Sequence, residues 1–313
     1  MAKRMSRDAL ERRIGQTLKV VSIVLLLVIA VLPFYWMLNM SFRPYGDVQV
    51  HPLRVIPRWQ DVRAVLSPLV CIGNSEADVC RSAVLNSSYA AVLIHYDFWA
   101  FIRNSLSIAS MAALLSLIIS IPAAYALTRL DFRGKQWVSS VVLLVYMFPS
   151  IVISIPLFVF FVRLQRATGL RLRSPAGVTI VYLAGTLPVA LYMLRGYFLS
   201  IPQEIEEAAL IDGATRLGVI RRITLPLAAP AIASVALYVF MIAWNEFLYA
   251  LLFLVDAPAA WTLPLGLQQL DNQEVPRHFL MAGSVIISAP VIALFMFCER
   301  FLTGGLTAGG VKG

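Results

Sequence analysis

The chain has 313 residues, of which 59% are hydrophobic and only 14% charged, against about 25% charged in an average soluble domain. Mean hydropathy is +0.79, and a water-soluble fold of this length cannot hide that much apolar surface beneath a charged skin. An ordinary soluble enzyme, a disordered chain and a disulfide-rich secreted scaffold are therefore excluded. Net charge is +9 and the pI is near 9.7. In a soluble protein that balance points to nucleic acid; in so apolar a chain it points to basic flanks that hold helices in a bilayer, with no nucleic-acid partner.

A bilayer-spanning helix needs about 20 apolar residues. Six uncharged stretches meet that length, at residues 20–42, 104–128, 136–162, 174–194, 223–245 and 279–298. The chain thus reads as an all-α membrane protein with six transmembrane helices. Residues 1–19 form a basic cytoplasmic segment, 20–303 the transmembrane domain and 304–313 a cytoplasmic tail. The first span is long and has no small-residue cleavage site after it, so it reads as a retained helix rather than a signal peptide. An N-in, C-in arrangement places 15 of the 26 Lys and Arg residues inside, as the positive-inside bias requires. Arg163, Arg166, Arg171 and Arg173, in a short outer loop, argue the other way.

The largest outer segment runs from 43 to about 100 and carries Cys71 and Cys80 on the side where disulfides persist. A Cys71–Cys80 bridge is the expectation; two free thiols is the alternative, because the spacing permits a small loop without establishing one. Cys298 reads as a small packing residue in the last span. Three cysteines are too few for a metal or redox scaffold, and no metal site is expected.

The inner loop from 198 to 226 is the one segment with a soluble character. Ser200 and Gln203 have capping-box spacing, and Pro202 suits a first helical turn. Glu204, Glu206 and Glu207 favour a helix N-terminal half. Ile201, Ile205, Ala208 and Ala209 make one apolar stripe. Gly213 suits a left-handed helix end, and a second short helix over 215–223 leads to Leu225-Pro226. Such a short amphipathic helix reads either as a solvated loop or as an element that docks into a groove on a partner.

Within this loop Glu207-Ala208-Ala209, three residues, Gly213, nine residues and Ile223-Thr224-Leu225-Pro226 reproduce the signature of inner-membrane permease subunits of bacterial ABC importers. The chain resembles the carbohydrate branch of that family and its maltose-type (MalG-like) second permease. Ala124–Arg129 before Phe132-Arg133-Gly134-Lys135, then Met147-Phe148-Pro149, Trp244-Asn245-Glu246-Phe247 and the glycine-rich end from Gly305 to Gly313 support it. The resemblance spans nearly the whole chain from the first span, except the segment around Cys71–Arg81.

The resemblance implies a type I importer permease fold with a cytoplasmic coupling helix. Glu207, Ala208, Ala209, Asp212 and Gly213 are then the core of contact with the ATPase. Gly309, Gly310, Val311 and Lys312 form a tail reaching between two ATPase subunits, and the outer loop with Trp261, Gln268 and Gln269 contacts a sugar-binding protein. The implied partners are two ATP-binding subunits, one sister permease and an extracytoplasmic binding protein, around a bilayer-embedded chain in the bacterial inner membrane. The implied cargo is an α-glucoside such as maltose, maltodextrin or trehalose.

The chain has no G-x-x-x-x-G-K-[ST] and no H-E-x-x-H, and His51, His95 and His278 fall in expected outer loops. No cofactor and no catalytic residue is therefore expected on it; ATP and Mg belong to the partner subunits. Glu246 is an acid in an apolar stretch, where function is the default suspicion. With Asn245 it reads as a pathway or subunit-interface residue. The alternative is a self-contained secondary transporter or channel that uses Glu246, but one acid without an intramembrane partner makes a poor relay. An intramembrane enzyme would need a buried nucleophile and base, and no histidine lies inside a span. Pro149, Pro156, Pro188 and Pro230 are expected to break or bend helices.

Overall fold

The computed structural model describes residues 7–43, 47, 50–51, 54–66 and 87–307. Helices account for the regular structure of these residues: α1 Arg7–Ser41, α2 Trp59–Leu66, α3 Ser88–Ala90, α4 Phe98–Arg129, α5 Lys135–Met147, α6 Ser150–Thr168, α7 Pro175–Ser200, α8 Gln203–Ile211, α9 Arg216–Val219, α10 Leu225–Trp244, α11 Leu248–Leu254, α12 Leu263–Gln268 and α13 Arg277–Thr307. Among the described residues six helical stretches are long and apolar enough to cross a membrane. The chain divides into two compact units, residues 1–96 with 270–286 and residues 97–269 with 287–313. Cys71, Cys80 and the tail residues Gly309–Lys312 lie outside the described residues.

In the first unit, α1 exposes apolar side chains on every side from Ile14 to Phe34, as a lipid-facing helix does. Its far end is fixed by polar contacts. Tyr35 and Asn39 both donate to the Val55 carbonyl. Arg43 is fully buried; its Nε lies 2.9 Å from Asp47 and its guanidinium also reaches the Asp47 and His51 carbonyls. Arg54 pairs with the same carboxylate. Burial alone raises an acid, yet the hydrogen bond from Arg43 and the charges of Arg43, Arg54 and His51 outweigh it. They hold the Asp47 carboxyl below the usual carboxylate range.

The second unit is built on α4 and α7, which pack along much of their length, with α10 against both. Small residues explain the close approach. Ser105, Ala109, Ala112, Ala113, Ser116, Ser120 and Ala124 are most of the buried residues along the middle of α4, with the larger Phe98, Phe101, Ile108, Tyr125 and Leu127 buried mainly toward its ends. Small residues there let the helices approach closely and gain dispersion contacts. The Ser116 hydroxyl lies 2.7 Å from Thr186 Oγ1, and Ser120 donates to the Leu187 carbonyl. Pro122, Pro188 and Pro230 lie inside α4, α7 and α10. The α12 turn also sits close on α4, where a Cβ on Gly266 would come 2.2 Å from the Phe101 ring.

The third sequence stretch, 136–162, is not one helix. It breaks at Phe148-Pro149 into α5 and α6, and only α6 meets the length of a span. Proline has no N–H to continue the ladder and forces the preceding residue out of the helical region; Phe148 is extended, with ψ 130°. Pro156, by contrast, is carried inside α6. The last span also starts earlier than its uncharged core suggested. His278 is the second residue of α13 and buried, not in a loop.

Candidate functional site

The segment linking α7 to α10 holds the signature residues. The capping box expected from Ser200 and Gln203 does not form: Ser200 is the last residue of α7, its hydroxyl turned back to the Tyr197 carbonyl, and α8 starts after Pro202 without a side-chain cap. Gly213 ends α8 with φ +86°, the left-handed conformation that a β-carbon disfavours. The Gly213 and Ala214 N–H groups close onto the Leu210 and Ala209 carbonyls. Thr215 then caps α9 through the Gly218 N–H, and a π-helical turn, Ile220–Thr224, feeds α10. The expected second short helix over 215–223 is thus a single α turn followed by that π turn.

The apolar stripe is not one buried face. Ile201 is buried, but Ile205, Ala208, Ile211 and Leu217 are exposed, Ile211 at 86%. Glu207, Asp212 and Gly213 are exposed as well, and Ala209 is half-buried. Among the described residues nothing covers this surface, which is apolar with acids on its flank.

The single buried residue of α8 is an acid. Glu206 is 3% exposed. Its carboxylate accepts hydrogen bonds from Arg129 Nε at 3.2 Å, Tyr125 Oη at 3.1 Å and Thr224 Oγ1 at 3.2 Å. Arg129 also donates to the Ile201 carbonyl at 2.8 Å. Both charges are thus bonded to more than each other. Such a pair adds little stability over apolar packing, but removing one member strands the other and costs about 3–5 kcal/mol. Sequence reasoning treated Glu206 as one of several first-turn acids and read Arg129 only as part of a motif. Their pairing across 77 positions left no local signal.

A cavity of about 520 Å³ opens between α5, α6, α7, α10 and α11. Tyr146, Ser150, Tyr182, Tyr238, Glu246 and Tyr249 supply its polar and aromatic lining. Glu246 lies on this wall, whereas Asn245 is exposed and bonds back to the Met241 carbonyl. The Glu246 carboxylate accepts the Tyr249 and Ala250 N–H groups at the start of α11, and Tyr182 donates to its carbonyl. The acid is therefore a helix cap on the cavity wall, which explains how a lone carboxylate is held there.

The loop that follows α11 is pinned at its base. Asn104 Nδ2 donates to the Ala259 and Trp261 carbonyls at 2.9 and 3.0 Å. Trp261 is half-buried, donates to the Leu254 carbonyl and packs near Phe101. Gln268, at the end of α12, is exposed; Gln269 is half-buried. The loop residues most open to contact are 255–259, where Arg173 pairs with Asp256.

The fold and these sites define a multi-span helical membrane protein with an exposed turn between α8 and α9. Residues 116–306 match the family model described as binding-protein-dependent transport system inner membrane component. The chain belongs to that family. It is 34% identical to the trehalose/maltose transport system permease protein MalG of Thermococcus litoralis, over 97% of this chain and 99% of that one. It is also 34% identical to the inner membrane ABC transporter permease protein YcjP of Escherichia coli K12, over 93% and 94%. In fold it resembles a chain of the bacterial ABC transporter that imports the acidic polysaccharide alginate, with a TM-score of 0.69 over 95% of this chain and 98% of that chain at 22% identity.

Proposed function

We propose that this chain is the permease subunit of an ATP-driven sugar importer in the bacterial inner membrane, and that its cargo is an α-glucoside of the trehalose or maltose type. The observation that carries the reading is the α8–Gly213 turn. It exposes Ile205, Ala208, Ile211 and Leu217 beside Glu207 and Asp212, with no other described residue covering them. An apolar helix face with flanking acids fits a groove on a second protein that has basic side chains at its rim. Two ATP-binding subunits, one for this turn and one for a sister permease, complete the machine; ATP and Mg bind there.

The cavity supplies one wall of the pathway. Tyrosine rings suit the C–H faces of a pyranose, and their hydroxyls suit its hydroxyls. The loop around Asp256 faces the binding protein whose dependence the family description names. Co-purification with an ATP-binding subunit, together with ATP-dependent uptake of trehalose or maltose into vesicles, tests the reading. Ile211→Glu is expected to abolish association with the ATPase. Uptake that persists without ATP would overturn the proposal.

A further inference from the structure

We infer that the Arg129–Glu206 pair is the linkage through which α8 moves the membrane helices, with Glu206 and Arg129 as positioning residues for transport. The inference rests on the coupling role of α8 proposed above. Glu206 is the only residue of α8 buried by the rest of the chain. Among the described residues, α8 packs chiefly on α9. The side chain it buries against the bundle is a charge, not an apolar group.

The pair gathers three other segments. Tyr125 and Arg129 come from the last turns of α4, Thr224 from the turn entering α10, and the Ile201 carbonyl from the hinge between α7 and α8. Apolar contacts tolerate sliding, since one methyl group is much like another. Hydrogen bonds weaken steeply with angle and distance. A displacement of α8 must either carry α4 and α10 with it or leave buried charged groups unpaired, which is unfavourable. Linkages of this kind have discrete positions rather than a continuum, as a switching element requires. Glu207, the next residue, is exposed and free for the partner, so adjacent acids have opposite tasks.

The test uses the whole importer in proteoliposomes, with maltose as the probe and its binding protein present. Glu206→Gln removes the carboxylate charge at nearly constant shape, and Arg129→Lys keeps the charge but loses the forked guanidinium donors. Each is expected to lower the thermal stability of the complex, because the remaining partner is left short of a bond, so coupling is read on assembled complexes: maltose taken up per ATP hydrolysed is expected to fall about fivefold or more in each. The double variant is expected to be no worse than the poorer single one, because one interaction is lost once. Glu204→Gln, an exposed acid on the same helix, is the control and keeps the wild-type ratio. Wild-type coupling in either single variant, or losses that multiply in the double variant, would overturn the inference. If Arg129→Lys fails to assemble, Tyr125→Phe carries the test: a reduced ratio supports the linkage and an unchanged ratio overturns it. Failure of the coupling reading itself is seen separately, as an Ile211→Glu complex that retains its ATPase.

Discussion

The Glu246 carboxylate sits 2.9 Å from the Tyr249 backbone nitrogen, closing the first turn of α11 from the cavity wall. Its function as a cap predicts a graded series. Glu246→Gln keeps an acceptor and is expected to retain most uptake, whereas Glu246→Ala loses the cap at about 1–2 kcal/mol. A proton relay would instead make Glu246→Gln inactive and uptake dependent on the pH gradient. Uptake measured in vesicles with and without an imposed gradient separates the two.

Gly213 has φ +86° and open space around its α-carbon. Gly213→Ala therefore meets no clash and only the left-handed strain, about 1–2 kcal/mol. Gly213→Pro fixes φ near −65° and cannot make the turn at all. Uptake is expected to fall modestly in the first and to vanish in the second, with both chains still inserted in the membrane. Glu207→Lys reverses the exposed charge offered to the partner and is expected to uncouple ATP hydrolysis from uptake. Wild-type transport by Gly213→Pro and Glu207→Lys would contradict the docking role of this turn.

Asn104 ties the loop after α11 to α4 through two carbonyls. Asn104→Ala removes both hydrogen bonds; the Ala259 carbonyl is open to water, so the loss is about 0.5–1.5 kcal/mol. The expected consequence is a loop that is cut sooner in limited proteolysis. Deleting residues 256–259 removes the exposed tip without touching this anchor. Binding-protein stimulation of ATP hydrolysis is expected to drop, and full stimulation would count against contact there.

Asp47 has a carboxyl held below its ordinary range by Arg43 and Arg54. A lowered folded-state pKa stabilises the fold above the unfolded value, near 4 for Asp, and that contribution disappears as pH falls through the lowered value. The segment after α1 is thus expected to keep its protection from proteases at neutral pH and to lose it only in strong acid. Asp47→Asn is expected to remove the acid dependence and to weaken the segment at neutral pH, with the difference from wild type closing in strong acid, which pulse proteolysis across pH measures.

The spans were legible because hydropathy reports the solvent directly: six runs of apolar residues correspond to six helices of spanning length. The break in the third run was written in Phe148-Pro149, yet composition alone carried the count across it. The turn that ends α8 was legible in Gly213, whose positive φ has a local cause. Its internal attachment was not. Glu206 looks like Glu204 and Glu207 in sequence, and only the approach of Arg129 and Tyr125 from another helix distinguishes it. Trp261 likewise presented itself as a contact residue, while the structure turns its indole toward Leu254 and Phe101. Polar groups paired over long sequence distances are the common feature of what periodicity leaves out.

The stripe of serines and alanines on α4 has one more implication. A seam of small side chains between α4 and α7 leaves little room for shear, so the two helices are expected to move together. Arg129 lies near one end of α4 and Asn104 near the other, some 25 residues and about 38 Å apart at 1.5 Å per residue, with Pro122 between them. A displacement at the first is expected to reach the second along one helix.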